Sequence, residues 1–344
     1  LRRGMLDGSA VRRELREKGY VVLRGIIEPS TIERARGILE KAVGAHVDKH
    51  KPTVDGGQPL SSPRTLETGL SRAYEADPDM APVTWVPAVK NSFVFQQLLF
   101  RDHNLCNLLE QVIGRPPSLA SRFNVRSKVP GSTAVNFPWH QDHAYFRMQY
   151  LLKKQPVQRL LAAWAPLLPT DERNGVIQLY AGSHLLGFIP HRCSGGFLAA
   201  PSECSPRENA DAPSLRPGDV VLFTDLTLHR SGPNLCDSVR WSADWAFELC
   251  EEDEVCPPLL ELQVHQELRA QPKSVLIRNA CRMWRGLCDF RLASSMPINN
   301  MGLISFSVGV VVAIGILAMA ATLLPSTISL VACFEQVNGS QGVW

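Results

Sequence analysis

Two histidines and an aspartate carry the first chemical signal of this chain. Trp139-His140-Gln141-Asp142 sets an imidazole two residues before a carboxylate, and a third donor follows far downstream in Leu228-His229-Arg230-Ser231. Two His and one carboxylate form the donor set that holds Fe(II) on one face and leaves the opposite positions open for O2 chemistry. In an extended segment residues i and i+2 share a side, so His140 and Asp142 are expected to converge on one ion while Gln141 points away. His229 closes the set from another strand. Arg240 sharpens the signal: it lies eleven residues after His229, in a stretch from Ser238 to Phe247 whose β-branched and aromatic content reads as a strand following the turn Ser231-Gly232-Pro233-Asn234. Its guanidinium offers a bidentate grip on a carboxylate, and Ser231, on the His229 face by the period of two, is a second donor. An ion with open sites and a carboxylate clamp at this remove suit a co-substrate that chelates at one end and carries a carboxylate at the other. 2-Oxoglutarate is such a molecule.

These residues, together with Ala163-Trp164, Asn174-Gly175, Gly182-Ser183-His184, His191 and the opening Lys18-Gly19-Tyr20-Val21-Val22-Leu23-Arg24-Gly25, resemble the phytanoyl-CoA dioxygenase family of Fe(II)/2-oxoglutarate oxygenases, over roughly residues 12 to 250. The resemblance implies that His140, Asp142 and His229 bind iron and that Ser231 and Arg240 bind the 2-oxoglutarate carboxylate. It adds Phe137, Trp164 and a lysine, Lys90 or Lys128, as weaker candidates for the co-substrate pocket. It further implies hydroxylation of an unactivated C–H bond of a small-molecule or lipid-like substrate, with O2 consumed and succinate and CO2 released. The chain departs from the family pattern in a longer segment between Asp142 and Trp164, with an insert Lys153-Lys154-Gln155-Pro156, and in Ala181 where proline usually precedes Gly-Ser-His. Three other readings are weighed. A halogenase needs a small residue in place of Asp142; a non-catalytic cupin-like metal- or ligand-binding module has no use for both the triad and Arg240; a metal-dependent isomerase or hydrolase makes no succinate.

Elements must position these groups. Short strand signals fall at 20–23, 119–128, 158–168, 175–180, 219–224 and 238–248, and helical spacing at 10–18, 30–47 and around 91–113. A Pro-, Gly-, Ser- and Asp-rich stretch at 50–82 reads as a long surface loop. The strand pattern leaves sandwich or barrel open. The resemblance decides for a mainly β fold with flanking helices, a double-stranded β-helix (jelly roll, cupin-like). In 119–128 the polar set Arg122, Asn124, Arg126 and Lys128 alternates with Leu119, Ser121, Phe123, Val125 and Ser127, so that one set is a candidate wall of the site. Among other histidines, His143 has the opposite parity to the ligands and is a candidate for the substrate pocket or for a group that supports the ligands from behind, whereas His184 and His191, which match family positions, suit structural hydrogen bonds at least as well as catalysis. His46, His50, His103 and His265 carry no such signal.

The composition accommodates one catalytic domain and an appendage: 344 residues, 45% apolar, net charge +3 without a basic block, which makes nucleic acid a poor partner and singles out no protein partner. Nine cysteines without metal-site spacing read as free thiols in a reducing compartment. The expected organisation is a catalytic domain at 1–250, a basic linker at 251–300, a candidate transmembrane helix at 301–325 and a short tail at 326–344. No Asp, Glu, Lys, Arg or His occurs in 292–334, and 302–324 is nearly all apolar, long enough to cross a bilayer. Arg278, Arg282 and Arg285 precede it, so the expectation is a C-terminal membrane anchor with the catalytic domain in the cytosol.

Overall fold

The structure, a computed structural model, describes residues 7–50, 53–54, 58–59, 66–68, 70, 89, 97, 99, 102–132, 136–153, 159–194, 197–206, 210–250, 253 and 255. In chain order the principal elements are α1 (Gly8–Lys18), β1 (Tyr20–Leu23), α2 (Pro29–His50), β2 (Thr53–Val54), β3 (Gln58–Pro59), α3 (His103–Ile113), β4 (Leu119–Lys128), α4 (Asp142–Lys153), β5 (Arg159–Pro166), β6 (Ile177–Leu179), β7 (Arg192–Ser194), β8 (Phe197–Ala199), β9 (Val220–Thr224), β10 (His229–Ser231) and β11 (Arg240–Leu249). α1 starts where Asp7 accepts from the Ser9 N–H. It stops at Gly19, whose φ of 83° is costly for any residue with a Cβ and whose N–H returns to the Leu15 carbonyl.

The main sheet is antiparallel, in the order β1-β9-β5-β11-β4. Its central strands β5 and β9 are buried along their whole length, as strands covered on both faces must be. Alternation then separates two cores. Leu161, Ala163, Ala165, Val220, Leu222, Trp241, Ala243, Trp245 and Phe247 turn to the side covered by the helices. Ala162, Trp164, Val221 and Phe223 turn to the other side and meet Ile177, Leu179 and Leu215. That second layer is a short sheet, β10 paired with β6 and extended by the single bridges His140↔His229 and Leu179↔Asp211. The result is the expected mainly β architecture with flanking helices, consistent with a jelly roll.

Three expectations need correction or restriction. The 50–82 stretch is not all surface loop: Leu66 and Leu70 are buried, and the Leu66 and Glu67 carbonyls accept from the Trp241 indole at 2.6 Å and the Val239 N–H at 2.8 Å. The thiols are not all free: Cys204, Cys236 and Cys250 are, whereas Cys193 is disulfide-bonded. Among the described residues no helix is long and apolar enough to cross a membrane, and the expected span at 302–324, with the rest of 256–344, lies outside them.

Candidate active site

His140 and His229 face each other across the small sheet, each N–H donating to the other's carbonyl at 3.0 Å. Directly opposed residues of an antiparallel pair project to the same side, so the imidazoles meet with ring centres 4.2 Å apart. His140 Nδ1 donates to the Pro138 carbonyl at 2.7 Å and His229 Nδ1 to the Thr227 carbonyl at 3.0 Å. A carbonyl only accepts, so Nδ1 holds the proton in each ring and Nε2 presents a lone pair. Burial lowers the pKa of both rings, and for His140 the neighbouring His229 lowers it further, so both are neutral at pH 7.

Asp142 reaches the same point by a different route from the one the spacing suggests. The chain leaves the bridge at His140 and Asp142 is already the first residue of α4, so strand alternation does not bring the two together. A carboxylate at a helix start gains from the exposed N–H groups there. Its Oδ1 lies 3.7 Å from both His140 Nε2 and His229 Nε2, and the three donor atoms fall within 4.8 Å of one another. Oδ1 is buried without a hydrogen-bond partner, whereas Oδ2 lies 3.1 Å from Arg122 Nη1. Burial by itself raises the Asp142 carboxyl, but Arg122 and His229 outweigh it and hold the pKa below the usual value. Two lone pairs and one orphaned anionic oxygen facing a common centre fit a divalent cation: an unpartnered buried acceptor is costly until something fills it.

The neighbouring polar residues are supports. Gln141 points away as expected: its side-chain amide donates to the Gly187 and Leu226 carbonyls and accepts from the Ile189 N–H, all at 2.8 Å. His191 Nε2 accepts from the Gln141 N–H at 2.8 Å, and His184 Nε2 contacts the Arg16 carbonyl at 2.9 Å. Of the two roles open to His143 it takes the supporting one: its Nδ1 meets Asp225 Oδ2 at 2.8 Å and Arg159 holds the same carboxylate at 3.1 to 3.2 Å, which pins the first turn of α4.

The opposite end of the cavity is cationic. Arg240, the first residue of β11, is buried over the Trp164 ring, 5.6 Å from its centre. It donates to Ser242 and reaches Ser231 Oγ at 3.4 Å, and its Nε has no hydrogen-bond partner. Burial and Arg126 push its pKa down to about 9, which leaves it charged at neutral pH. Phe137 lies beside His140, ring centres 5.7 Å apart, and beneath Arg126 at 4.7 Å. Trp164, Phe137, Ser231 and Arg240 thus line one cavity with the triad, about 60 Å³ in volume. Lys90 lies outside the described residues. Lys128 does not line the cavity; its ammonium donates to Asn136 Oδ1 and Ser231 Oγ at 2.7 Å each and to the Gly232 carbonyl. Burial, with Arg240 and Arg126 nearby, pushes that amine down to about 6, while three acceptors for three N–H groups favour the charged form. A far larger cleft, about 1400 Å³, lies elsewhere beside Arg24, Arg173 and Asp219 and contains none of these groups, so volume is no guide to the chemistry here.

Sequence reasoning left open which face of β4 meets the site. Arg122 and Arg126 line the cavity, while Phe123 and Val125 join the helix-side core. It missed Asp244, which binds Asn124 Nδ2 at 2.9 Å and Arg126 Nε at 2.7 Å. The available signal was a lone carboxylate in the otherwise uncharged run from Trp241 to Phe247.

The phytanoyl-CoA dioxygenase family model matches residues 15–242. The chain is 26% identical over 241 residues to 1-deoxypentalenic acid 11-beta-hydroxylase of Streptomyces arenae, covering 67% of this chain and 76% of that protein. It is 24% identical over 249 residues to the peroxisomal phytanoyl-CoA dioxygenase of Homo sapiens, 68% of each. Among solved structures, EvdO2 from Micromonospora carbonacea var. aurantiaca complexed with 2-oxoglutarate superposes with a TM-score of 0.47 at 19% identity, over 72% of this chain and 92% of that one.

Proposed function

The chain belongs to the phytanoyl-CoA dioxygenase family, and from that premise we propose that it is an Fe(II)- and 2-oxoglutarate-dependent dioxygenase hydroxylating an unactivated C–H bond of a small-molecule or lipid-like substrate. The observation that carries this reading is the orphaned Asp142 Oδ1, equidistant at 3.7 Å from the Nε2 atoms of His140 and His229, in one cavity with the buried guanidinium of Arg240, whose Nε has no hydrogen-bond partner. His140, Asp142 and His229 would hold the iron. When bound, iron and 2-oxoglutarate supply the oxidising power, with O2 consumed and succinate and CO2 released.

The protein supplies geometry and surroundings. The Pro138 and Thr227 carbonyls fix the tautomer of each ligand imidazole, so no proton need be lost for Nε2 to bind. Arg240 would take the remote carboxylate of 2-oxoglutarate. Ser231 Oγ already accepts from Lys128, so its own proton is available to a second carboxylate oxygen. Trp164 and Phe137 give the cavity aromatic walls that keep water from the reacting groups. A halogenating variant of this chemistry is disfavoured because Asp142 fills the position a halide would need. Anaerobic binding of 2-oxoglutarate in the presence of Fe(II), followed by a substrate screen read as O2-dependent succinate, tests the proposal. Absence of 2-oxoglutarate binding would refute it and favour a metal- or ligand-binding module.

We also propose that residues 302–324 anchor the protein in a membrane with the catalytic domain in the cytosol. The uncharged apolar run and the arginines ahead of it support this. Carbonate extraction of membranes from cells expressing the full chain should leave it in the pellet and release a version ending at residue 295. Full-length chain in the carbonate supernatant would reject the anchor.

A further inference from the structure

We propose that Arg122 is a positioning residue that presents Asp142 to the metal, engaging one carboxylate oxygen so that a single oxygen is left for the ion. The inference rests on the reading of His140, Asp142 and His229 as metal ligands. Arg122 belongs to β4, whereas Asp142 opens α4, and its guanidinium spans the gap between them. Nη1 lies 3.1 Å from Asp142 Oδ2, and the guanidinium carbon sits 4.7 Å from the centre of the Phe146 ring. Asp142 and Phe146 are four residues apart on a helix and so share a face. One side chain therefore meets the first turn of α4 twice, by an ion pair with the carboxylate and by its plane on the ring.

The sheet aims that grip. Arg122 Nη2 lies 3.7 Å from Asp244 Oδ1, and Asp244 is held in turn by Asn124 at 2.9 Å and Arg126 at 2.7 Å. Asp244 and Asn124 are cross-strand partners in β11 and β4, so the anchor is part of the rigid main sheet. Arg122 is thus a fork between an anchored carboxylate and the ligand carboxylate, and it carries the position of the sheet to the start of a helix that the small sheet does not contain. With Oδ2 engaged, only Oδ1 faces His140 Nε2 and His229 Nε2, and the remaining positions on an ion stay open for co-substrate and O2. A lysine keeps the charge but lacks the fork and the flat face.

Mn(II) binding to the full chain, followed by electron paramagnetic resonance without co-substrate, tests this independently of turnover. Arg122→Met should bind Mn(II) about 10- to 100-fold more weakly, the usual cost of losing a partner of a metal ligand. Arg122→Lys should recover part of that loss, and metal-free Arg122→Lys should melt closer to the wild type than Arg122→Met, which leaves two buried carboxylates without their shared cation. Folded Arg122→Met with Mn(II) affinity within twofold of wild type would overturn the proposal. If Arg122→Met does not fold, wild-type affinity in folded Arg122→Lys would overturn it equally. Wild-type protein that takes up no Mn(II) would instead refute the metal site itself, which separates the two failures.

Discussion

The two ends of the cavity are held in different ways. At the triad end the imidazoles are fixed by main chain: His140 and His229 are backbone partners, and each Nδ1 is tied to a carbonyl two residues before it. At the clamp end the groups are fixed by side chains: Lys128 holds Ser231, Ser231 meets Arg240, and Arg240 lies over Trp164. A side chain can be deleted without moving the backbone, whereas a main-chain tie survives most substitutions. The triad end should therefore respond to loss of a ligand all or none, with the fold intact, and the clamp end in graded steps.

The largest break tests the first half of that statement. His140→Ala, Asp142→Ala or His229→Ala removes one of three donors for a redox ion. Each should lower iron-dependent succinate formation by several kcal/mol of barrier, about a thousandfold, with an unchanged circular dichroism spectrum. Undiminished turnover in any purified variant would sink the assignment. Next is Arg240→Leu, which removes a charged, forked contact remote from the ion. 2-Oxoglutarate affinity should fall by about 2–3 kcal/mol, about 30- to 150-fold, with Mn(II) affinity unaltered. Equal 2-oxoglutarate affinity by calorimetric titration would pass the clamp to another basic residue.

Lys128→Met sharpens the graded half. Lys128 reaches the cavity only through Ser231, so 2-oxoglutarate should weaken by about tenfold, a single hydrogen bond's worth, and less than for Arg240→Leu. A loss as large as that for Arg240→Leu would mean that Lys128 touches the ligand itself. No loss would separate Ser231 from the clamp.

The same division explains how much was legible in the sequence. The strands at 119–128, 219–224 and 238–248 were readable because they are bounded by turns and rich in β-branched and aromatic residues. That His140, Asp142 and His229 cluster was readable from their donor types. The way they meet was not: His140 pairs with His229 across a one-residue bridge too short to leave a pattern, and α4 begins on Asp142 itself. Nor could the spacing distinguish His143 as a strut, because its partner Asp225 is 82 residues away. Arg122 was named as part of a candidate wall, but its pairing with Asp244 was hidden for the same reason, since nothing local links a β4 arginine to a β11 carboxylate.

The smallest expected effect is invisible at pH 7 and concerns the main-chain end alone. His191 accepts from the Gln141 N–H with Nε2 and donates to the Ile189 carbonyl with Nδ1 at 2.6 Å, so the native fold needs its neutral ring. Burial pushes its pKa down from the ordinary 6.5 to about 4. The folded value lies below the unfolded one, so the native state binds fewer protons between them. The stability tied to neutral His191 is therefore fully present above about pH 6.5 and drains away as the pH falls toward 4. A shift of this size corresponds to at most about 3 kcal/mol. His140 and His229 lose stability in the same sense in metal-free protein, so the test is the difference between variants rather than the slope alone. His191→Gln keeps a donor and an acceptor but does not titrate. Its melting temperature should fall less between pH 7 and 4.5 than that of the wild type, and parallel curves would show that the Gln141 backbone is secured without His191.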